Sequence, residues 1–374
     1  MSLIRPLGFS PERCSALMKE KGLDGLLVTS SENVFYTTGL PVTRGHVNPI
    51  LFALWNAFPS YAVVDRSGKP SMVTWGGALG GHEFWVENIR SAWVRGGTTD
   101  EALDLARETF KGAARLGIES DAPYEFVGKV RGAIPSAELV VADEVFETLR
   151  AVKTPEEIQM MKGALEITEK TVQRLQDEMT SRATTHALIT RAKVLLYEYG
   201  ATGVDHATMA LGMANPEIPD DVPAKEGDLA ILDIGAILNG YVSDSRRLAM
   251  IGRVPREIEE LNATMAAIVV ETGKSARPGM TFSELCQVAD SKHAENKLDP
   301  MFMSAGHTLG IQTEEIWITR DSQRKFEPGT VFNIELYSRS ESNLIIGTED
   351  TFVVNTSGVE QLTKLPHEIR GVVK

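Results

Sequence analysis

Asp228-Leu-Ala-Ile-Leu-Asp233-Ile-Gly-Ala-Ile-Leu-Asn239-Gly240-Tyr-Val-Ser-Asp244 is the stretch that decides how this chain is read. Asn239-Gly240 predicts a two-residue hairpin turn, because both central positions of such a turn need left-handed backbone, which Asn and Gly adopt at least cost. With the turn centred there, Leu238 faces Tyr241. Counting back along both strands sets Asp233 opposite Arg246, with Asp244 two residues away on the same face. Diagonal neighbours of this kind lie roughly 7–8 Å apart at the backbone, so the two carboxylates converge on one point. Asp233 sits inside an apolar run, residues 229–234. An unpaired charge there is costly, and a bound cation is the simplest remedy.

A second pair of acids follows the same logic. Phe332-Asn-Ile-Glu335-Leu-Tyr337 and Gly347-Thr-Glu349-Asp-Thr-Phe-Val-Val354 flank the polar loop 338–343. A hairpin centred on Ser342 sets Glu335 and Glu349 opposite one another, about 5 Å apart at the β-carbons. His307 lies in Ala305-Gly306-His307-Thr-Leu-Gly310, where glycines let another backbone or a ligand approach closely. Four carboxylates and one imidazole form a mostly hard-oxygen set suited to Mn, Co, Fe or Zn. Bridging carboxylates hold two such ions about 3.5–4 Å apart. Spacing alone leaves metal ligands and ordinary strand-edge acids equally open.

Outward from these hairpins the chain divides in two. Its 374 residues exceed one ordinary core. Thr154-Pro-Glu-Glu157 joins a capping Thr, a proline at the first helical position and a Glu at the third, so a helix starts there and runs towards Met179. A second helix is expected over 186–199, then the strand pair within 228–250. The order repeats with helices over 256–272 and 282–297, the latter led by Thr281-Phe-Ser-Glu284, then strands over 331–337 and 345–354. Two helix, helix, hairpin units predict an α+β domain with internal pseudo-symmetry over residues 151–374. Before the boundary, a helix over 10–21 and strands over 25–29, 60–64 and 115–118 predict an α/β domain over 1–150. Trp55, Trp75, Trp85 and Trp93 in that domain, with His46 and His82, are read as packing or surface residues.

Composition narrows the function classes. With 38 basic against 51 acidic side chains the net charge is -13, which repels phosphate backbones and argues against a nucleic-acid partner. No stretch approaches the roughly 20 apolar residues of a membrane span, and Met1-Ser-Leu-Ile-Arg5 lacks the apolar core of a signal peptide. Cys14 and Cys286 lie far apart, which suggests neither a disulfide framework nor a thiolate metal site. A cytoplasmic protein is expected.

The segment Asp233-Ile-Gly-Ala followed by Gly240-Tyr-x-Ser-Asp244-x-x-Arg247 resembles the Asp-x-Gly and Tyr-x-Ser-Asp-x-Thr-Arg motif of the pita-bread metallopeptidase family, which includes prolidase, aminopeptidase P, methionine aminopeptidase and creatinase. Gly306-His307-x-Leu-Gly310 is similar to the family's Gly-His-Gly-Ile-Gly. Pro328-Gly329-x-Val331-Phe-x-Ile-Glu335 is similar to its Pro-Gly-Met-Val and Glu element, and Glu349-Asp350 followed by Leu362-Thr363 to its C-terminal signature. In the first domain, Asn33-Val-Phe-Tyr36-x-Thr-Gly39 and Leu149-Arg150-x-Val-Lys153 extend the likeness to nearly the whole chain.

The resemblance implies a creatinase-like α/β N-terminal domain and a pita-bread α+β catalytic domain. It also implies two divalent ions: Asp233, Asp244 and Glu349 would hold one, and Asp244, His307, Glu335 and Glu349 the other. A hydroxide bridging them would attack the scissile carbonyl, with Glu335 as proton carrier. The implied activity is Xaa-Pro peptide hydrolysis, with manganese among the expected metals and a homodimer as the expected assembly. A small-molecule C–N hydrolase or lyase, like creatinase, ectoine hydrolase or dimethylsulfoniopropionate lyase, is the alternative.

The chain departs from the family at four places. The substrate-side histidine ahead of Gly227-Asp228 is missing, where Ala214-Asn-Pro-Glu217 stands. Glu314 occupies the place of a second histidine, Arg246 replaces the motif threonine, and Gly347 stands where an arginine is expected. His206, Tyr241, Glu314 and Arg247 are the candidate substrate-side residues, with Glu314 favouring a cationic group.

Overall fold

The structure, a computed structural model, describes residues 3–301 and 303–373; the first two residues of the stretch inspected for a leader lie outside that range. The chain forms two compact units, Met1–Arg150 and Ala151–Lys374. Among the described residues no helix is long and apolar enough to cross a membrane.

The first unit carries a mixed six-stranded sheet in the order Ile89–Ala92, Pro70–Trp75, Tyr61–Val64, Leu26–Val28, Arg115–Ile118, Glu138–Val141. The central Leu26–Val28 and Tyr61–Val64 strands are buried at every residue, as strands covered on both faces must be. Glu119, at the end of the Arg115–Ile118 strand, is buried and accepts hydrogen bonds from Thr29, Ser30 and Asn33, fastening the start of the Ser31–Thr38 helix. His46 is half-buried against Phe35 at 5.0 Å between ring centres, and burial pushes its imidazole down to about 4. It packs, as its sequence context suggested.

The second unit repeats one plan. Helices Pro155–Glu178 and Thr185–Glu198 precede a five-stranded sheet whose centre is the hairpin Leu229–Leu238 with Ser245–Ile251. Helices Arg256–Ser275 and Phe282–Glu295 precede a second five-stranded sheet built on Val331–Arg339 and Ile345–Asn355. Capping boxes at Thr154 with Glu157 and at Thr281 with Glu284 start two of these helices by satisfying backbone donors that no helical turn can reach. Their inward stripes pack on the sheets, as with Met265, Ile268 and Val269 against Phe332 and Phe352.

Both hairpins adopt the expected registers. Leu238 pairs with Tyr241 and Asp233 with Arg246, while Glu335 pairs with Glu349. Asn239 and Gly240 both take positive φ, 49° and 88°. Among the strands that were not foreseen, Gly203–Leu211 pairs antiparallel with Leu229–Leu238, with a shift of register between Gly235 and Ala236.

Candidate metal centre

Each acid reaches the centre for a local reason. Asp233 points inward from the Leu229–Leu238 strand because Leu229 and Ile231 share its face. Asp244 lies in the break between Tyr241–Val242 and Ser245–Ile251, where the ladder is interrupted and the side chain is re-aimed. Gly306 has φ 146°, and a β-carbon there would lie 2.0 Å from the Asn333 carbonyl oxygen. Only glycine lets the His307 strand lie this close to its neighbour.

The carboxylate of Asp244 divides its two oxygens. Oδ1 lies 3.1 Å from His206 Nε2, which is also 3.1 Å from Asp233 Oδ1. Oδ2 lies 3.6 Å from His307 Nε2, which stands 3.6 Å from Glu349 Oε1. The donors form two triads, His206, Asp233, Asp244 and Asp244, His307, Glu349, with ligand atoms within 4.8 Å of one another. Metal bonds of about 2.0–2.2 Å put neighbouring ligand atoms roughly 3–3.5 Å apart, close to the spacings seen. Apart from the approach of His206, Asp244 Oδ1 is buried without a well-aligned hydrogen bond. The donor set therefore fits two divalent ions sharing one carboxylate.

The electrostatics point the same way. Burial, then the charges of Glu349 and Asp233, push Glu335 up to about 8, against the pull of Arg246 and His307. Burial, then Asp244, raises Glu349 to about 8 as well. Burial also raises Asp244, against the pull of His206. Burial alone would lower His206, but Asp244, Asp205 and Asp233 hold it well above its ordinary value. His307, opposed by burial in the same way, rises to about 9 beside Glu349 and Asp244. Crowded acids that resist ionising are what a divalent cation relieves.

Four of the five expected ligands meet in the two triads. Glu335 falls outside both: it stands across the ladder from Glu349, and its Oε1 lies 3.5 Å from Arg246 Nη1. His206 lies among the acids, with Asp205 at 2.9 Å from Nδ1. Gly235 makes room for it, since a β-carbon there would lie 2.6 Å from the imidazole.

The other candidate residues lie elsewhere. Tyr241 is buried and donates to Glu157 Oε1 at 3.1 Å. Arg247 is buried on the opposite face of its strand, bound to Asp350 Oδ1 at 2.7 Å and to the carbonyls of Glu349, Leu365 and Pro366. Both hold the frame together. Glu314 is exposed in a turn with φ 57°, while its neighbour Glu315 turns inward to Lys153 at 2.9 Å.

Two supporting residues escaped the sequence reading. Asp205 orients His206, and Asn333 donates to Glu349 Oε1 at 2.5 Å. Asn333 carried a faint signal, as a polar residue at an inward position of an apolar strand.

The models for Metallopeptidase family M24 and for the Creatinase/Prolidase N-terminal domain match residues 159–356 and 12–152. An Xaa-Pro dipeptidase of Pyrococcus furiosus is 25% identical over 367 residues, covering 96% of this chain and 98% of that protein. A solved Xaa-Pro dipeptidase from Bacillus anthracis superposes with TM-score 0.82 at 20% identity, covering 97% of this chain and 99% of the other. For the prolidase from Pyrococcus horikoshii OT3 the values are 0.79, 22%, 96% and 99%.

Proposed function

The chain belongs to metallopeptidase family M24, a family of hydrolases, and from that premise we propose that it uses two divalent ions to cleave short peptides beside proline. The observation that carries this reading is the division of Asp244 between two triads. Relatives whose names state Xaa-Pro dipeptidase activity, aligned over nearly the full length of both chains, support the substrate class.

In this reading His206, Asp233 and Asp244 hold one ion, and Asp244, His307 and Glu349 the other. Glu335, paired across the ladder with Glu349, would complete the set. Such ions, when bound, supply Lewis acidity that polarises a scissile carbonyl and makes water a nucleophile near neutral pH. The residues of the chain supply the rest. Asp205 keeps Nδ1 of His206 engaged so that Nε2 faces the acids. Asn333 holds the Glu349 carboxylate in one orientation. Glu335, partly exposed at the rim beside Arg246, is placed to accept a proton from the nucleophile and return it to the departing amine.

Xaa-Pro dipeptides and tripeptides assayed with added Mn or Co test the proposal. Hydrolysis above the metal-only rate is expected, and none on any member would overturn it. The exposed Glu314 and the missing substrate-side histidines favour a second reading, hydrolysis or elimination on a small non-peptide substrate. Turnover of amidines, cyclic amides or sulfonium compounds, with Xaa-Pro peptides inert, would select that reading. A homodimer is proposed on family grounds, and a monomeric mass by light scattering would refute it.

A further inference from the structure

A cavity of about 480 Å³ opens beside the metal centre, within the second unit. Ile231 precedes Asp233 by two residues and Tyr337 follows Glu335 by two, so cavity wall and acids share one face of each hairpin. Arg246 joins the two spaces. Its Nη1 lies 3.5 Å from Glu335 Oε1 and donates to the Tyr337 hydroxyl at 2.7 Å, and its guanidinium carbon sits 4.4 Å from the centre of the Tyr337 ring. Its Nε is buried and has no hydrogen-bond partner among the described residues.

Two further facts concern charge and space. Among the described residues the only charged side chains in the cavity wall are Arg246 and Arg339, with no Asp or Glu, although the chain as a whole carries a net charge of -13. A β-carbon at Gly347 would lie 2.2 Å from the Tyr337 ring. Glycine at 347 is therefore what lets that ring lie where Arg246 stacks on it. The departures from the family motif at positions 246 and 347 form one physical unit, a guanidinium delivered to the rim of the metal centre from a different strand.

We propose that Arg246, with the exposed Arg339, forms an anion-binding subsite that fixes an oxyanion end of the substrate, a carboxylate or a phosphonate-like group. Ile231, Met301 and Ile345 take the adjoining apolar part. That the bound molecule is a substrate rests on the hydrolase reading; the binding preference itself does not. A guanidinium with an unused buried donor is suited to the planar, multi-toothed acceptor that an oxyanion presents. Glu314 is not part of this wall.

The test is calorimetric titration of the full-length, metal-loaded protein with 4-phenylbutyrate, 4-phenylbutylphosphonate and 4-phenylbutyramide. The wild type should bind at least one of the two anions about 10-fold or more tightly than the amide. Arg246→Met should bring anion and amide within roughly 3-fold of each other, and Arg246→Lys should keep part of the preference. Loss confined to one anion supports the subsite and identifies its oxyanion class. A preference unchanged in Arg246→Met, as direct ligation of the metals would give, overturns the proposal, as does a wild type that binds the amide equally well. If Arg246→Met fails to fold, Arg339→Met at the exposed edge decides: a drop of several-fold in the preference supports the subsite, and none refutes it. Absence of peptide turnover would defeat the hydrolase reading while leaving these affinities measurable.

Discussion

His206 directs Nε2 at Asp244 Oδ1 across 3.1 Å, and does so because Asp205 engages its other ring nitrogen at 2.9 Å. Carboxylate, imidazole and acid in line are the arrangement by which an outer residue orients a metal-binding histidine. His206→Ala should weaken one of two metal sites by about 10–100-fold, and Asp205→Asn should act in the same direction at the low end of that range. Metal titration with elemental analysis measures both. Equal affinities and two ions per chain in His206→Ala would remove His206 from the ligand set.

Asp244 is the one side chain common to both triads. Asp244→Ala should therefore lose both ions, and with them several kcal/mol of transition-state stabilisation, about 10³-fold or more in kcat. A variant with near-normal turnover would show that no shared carboxylate is needed.

Metal binding should depend on pH with a definite sign. In the ion-free protein Glu335 and Glu349 are raised to about 8, so below that value both hold protons that an incoming cation must displace. His307, raised to about 9, must release one too. Affinity should rise as pH climbs through 8, and protons should be released on binding. Calorimetry in buffers of different ionisation enthalpy reads the release. Proton uptake, or a flat profile between pH 6 and pH 9, would contradict the raised values.

Lys153 and Glu315 form a buried pair at 2.9 Å with side chains 2% and 4% exposed. Glu315 also accepts from the Ile311 amide at 3.2 Å, holding the turn that follows the His307 strand. Removing one partner strands a buried charge, so Lys153→Ala should cost about 3–5 kcal/mol in denaturant unfolding. The double variant Lys153→Met with Glu315→Leu should recover much of that. A cost below about 1 kcal/mol for Lys153→Ala would mean that water reaches the pair.

Gly235 faces the imidazole of His206 with no room for a β-carbon. Gly235→Ala should displace His206 and weaken metal binding as His206→Ala does, and it should also cost stability, because the β-carbon would lie 2.6 Å from the Ser243 carbonyl oxygen. Metal affinity equal to that of the wild type would show that the strand yields instead.

The two hairpins were legible because strand geometry is local. Once Asn239-Gly240 is taken as a turn, the period of two places Asp233 against Arg246, and the same arithmetic about Ser342 places Glu335 against Glu349. Helix starts at Thr154 and Thr281 were legible for a similar reason, since a capping box spans only four residues. His206 was harder to place. Its strand, Gly203–Leu211, interleaves Asp, His and Thr with small and apolar residues, and its pairing with Leu229–Leu238 spans an irregular segment of the chain. No local pattern records which residue such a strand sets beside an acid.

By itself the sequence determined the registers of the two hairpins and the repeated helix and hairpin plan, because each follows from periodicity, turn chemistry or capping within a few residues, whereas the reading of the acids as ligands came from the family resemblance. Tertiary structure alone decided that His206 enters the centre, that Glu335 leans on Arg246, and that Tyr241 and Arg247 brace the frame. Those outcomes depend on which strands become neighbours and which glycines leave space between them. They are properties of packing between distant segments, where charge, burial and steric room are balanced together.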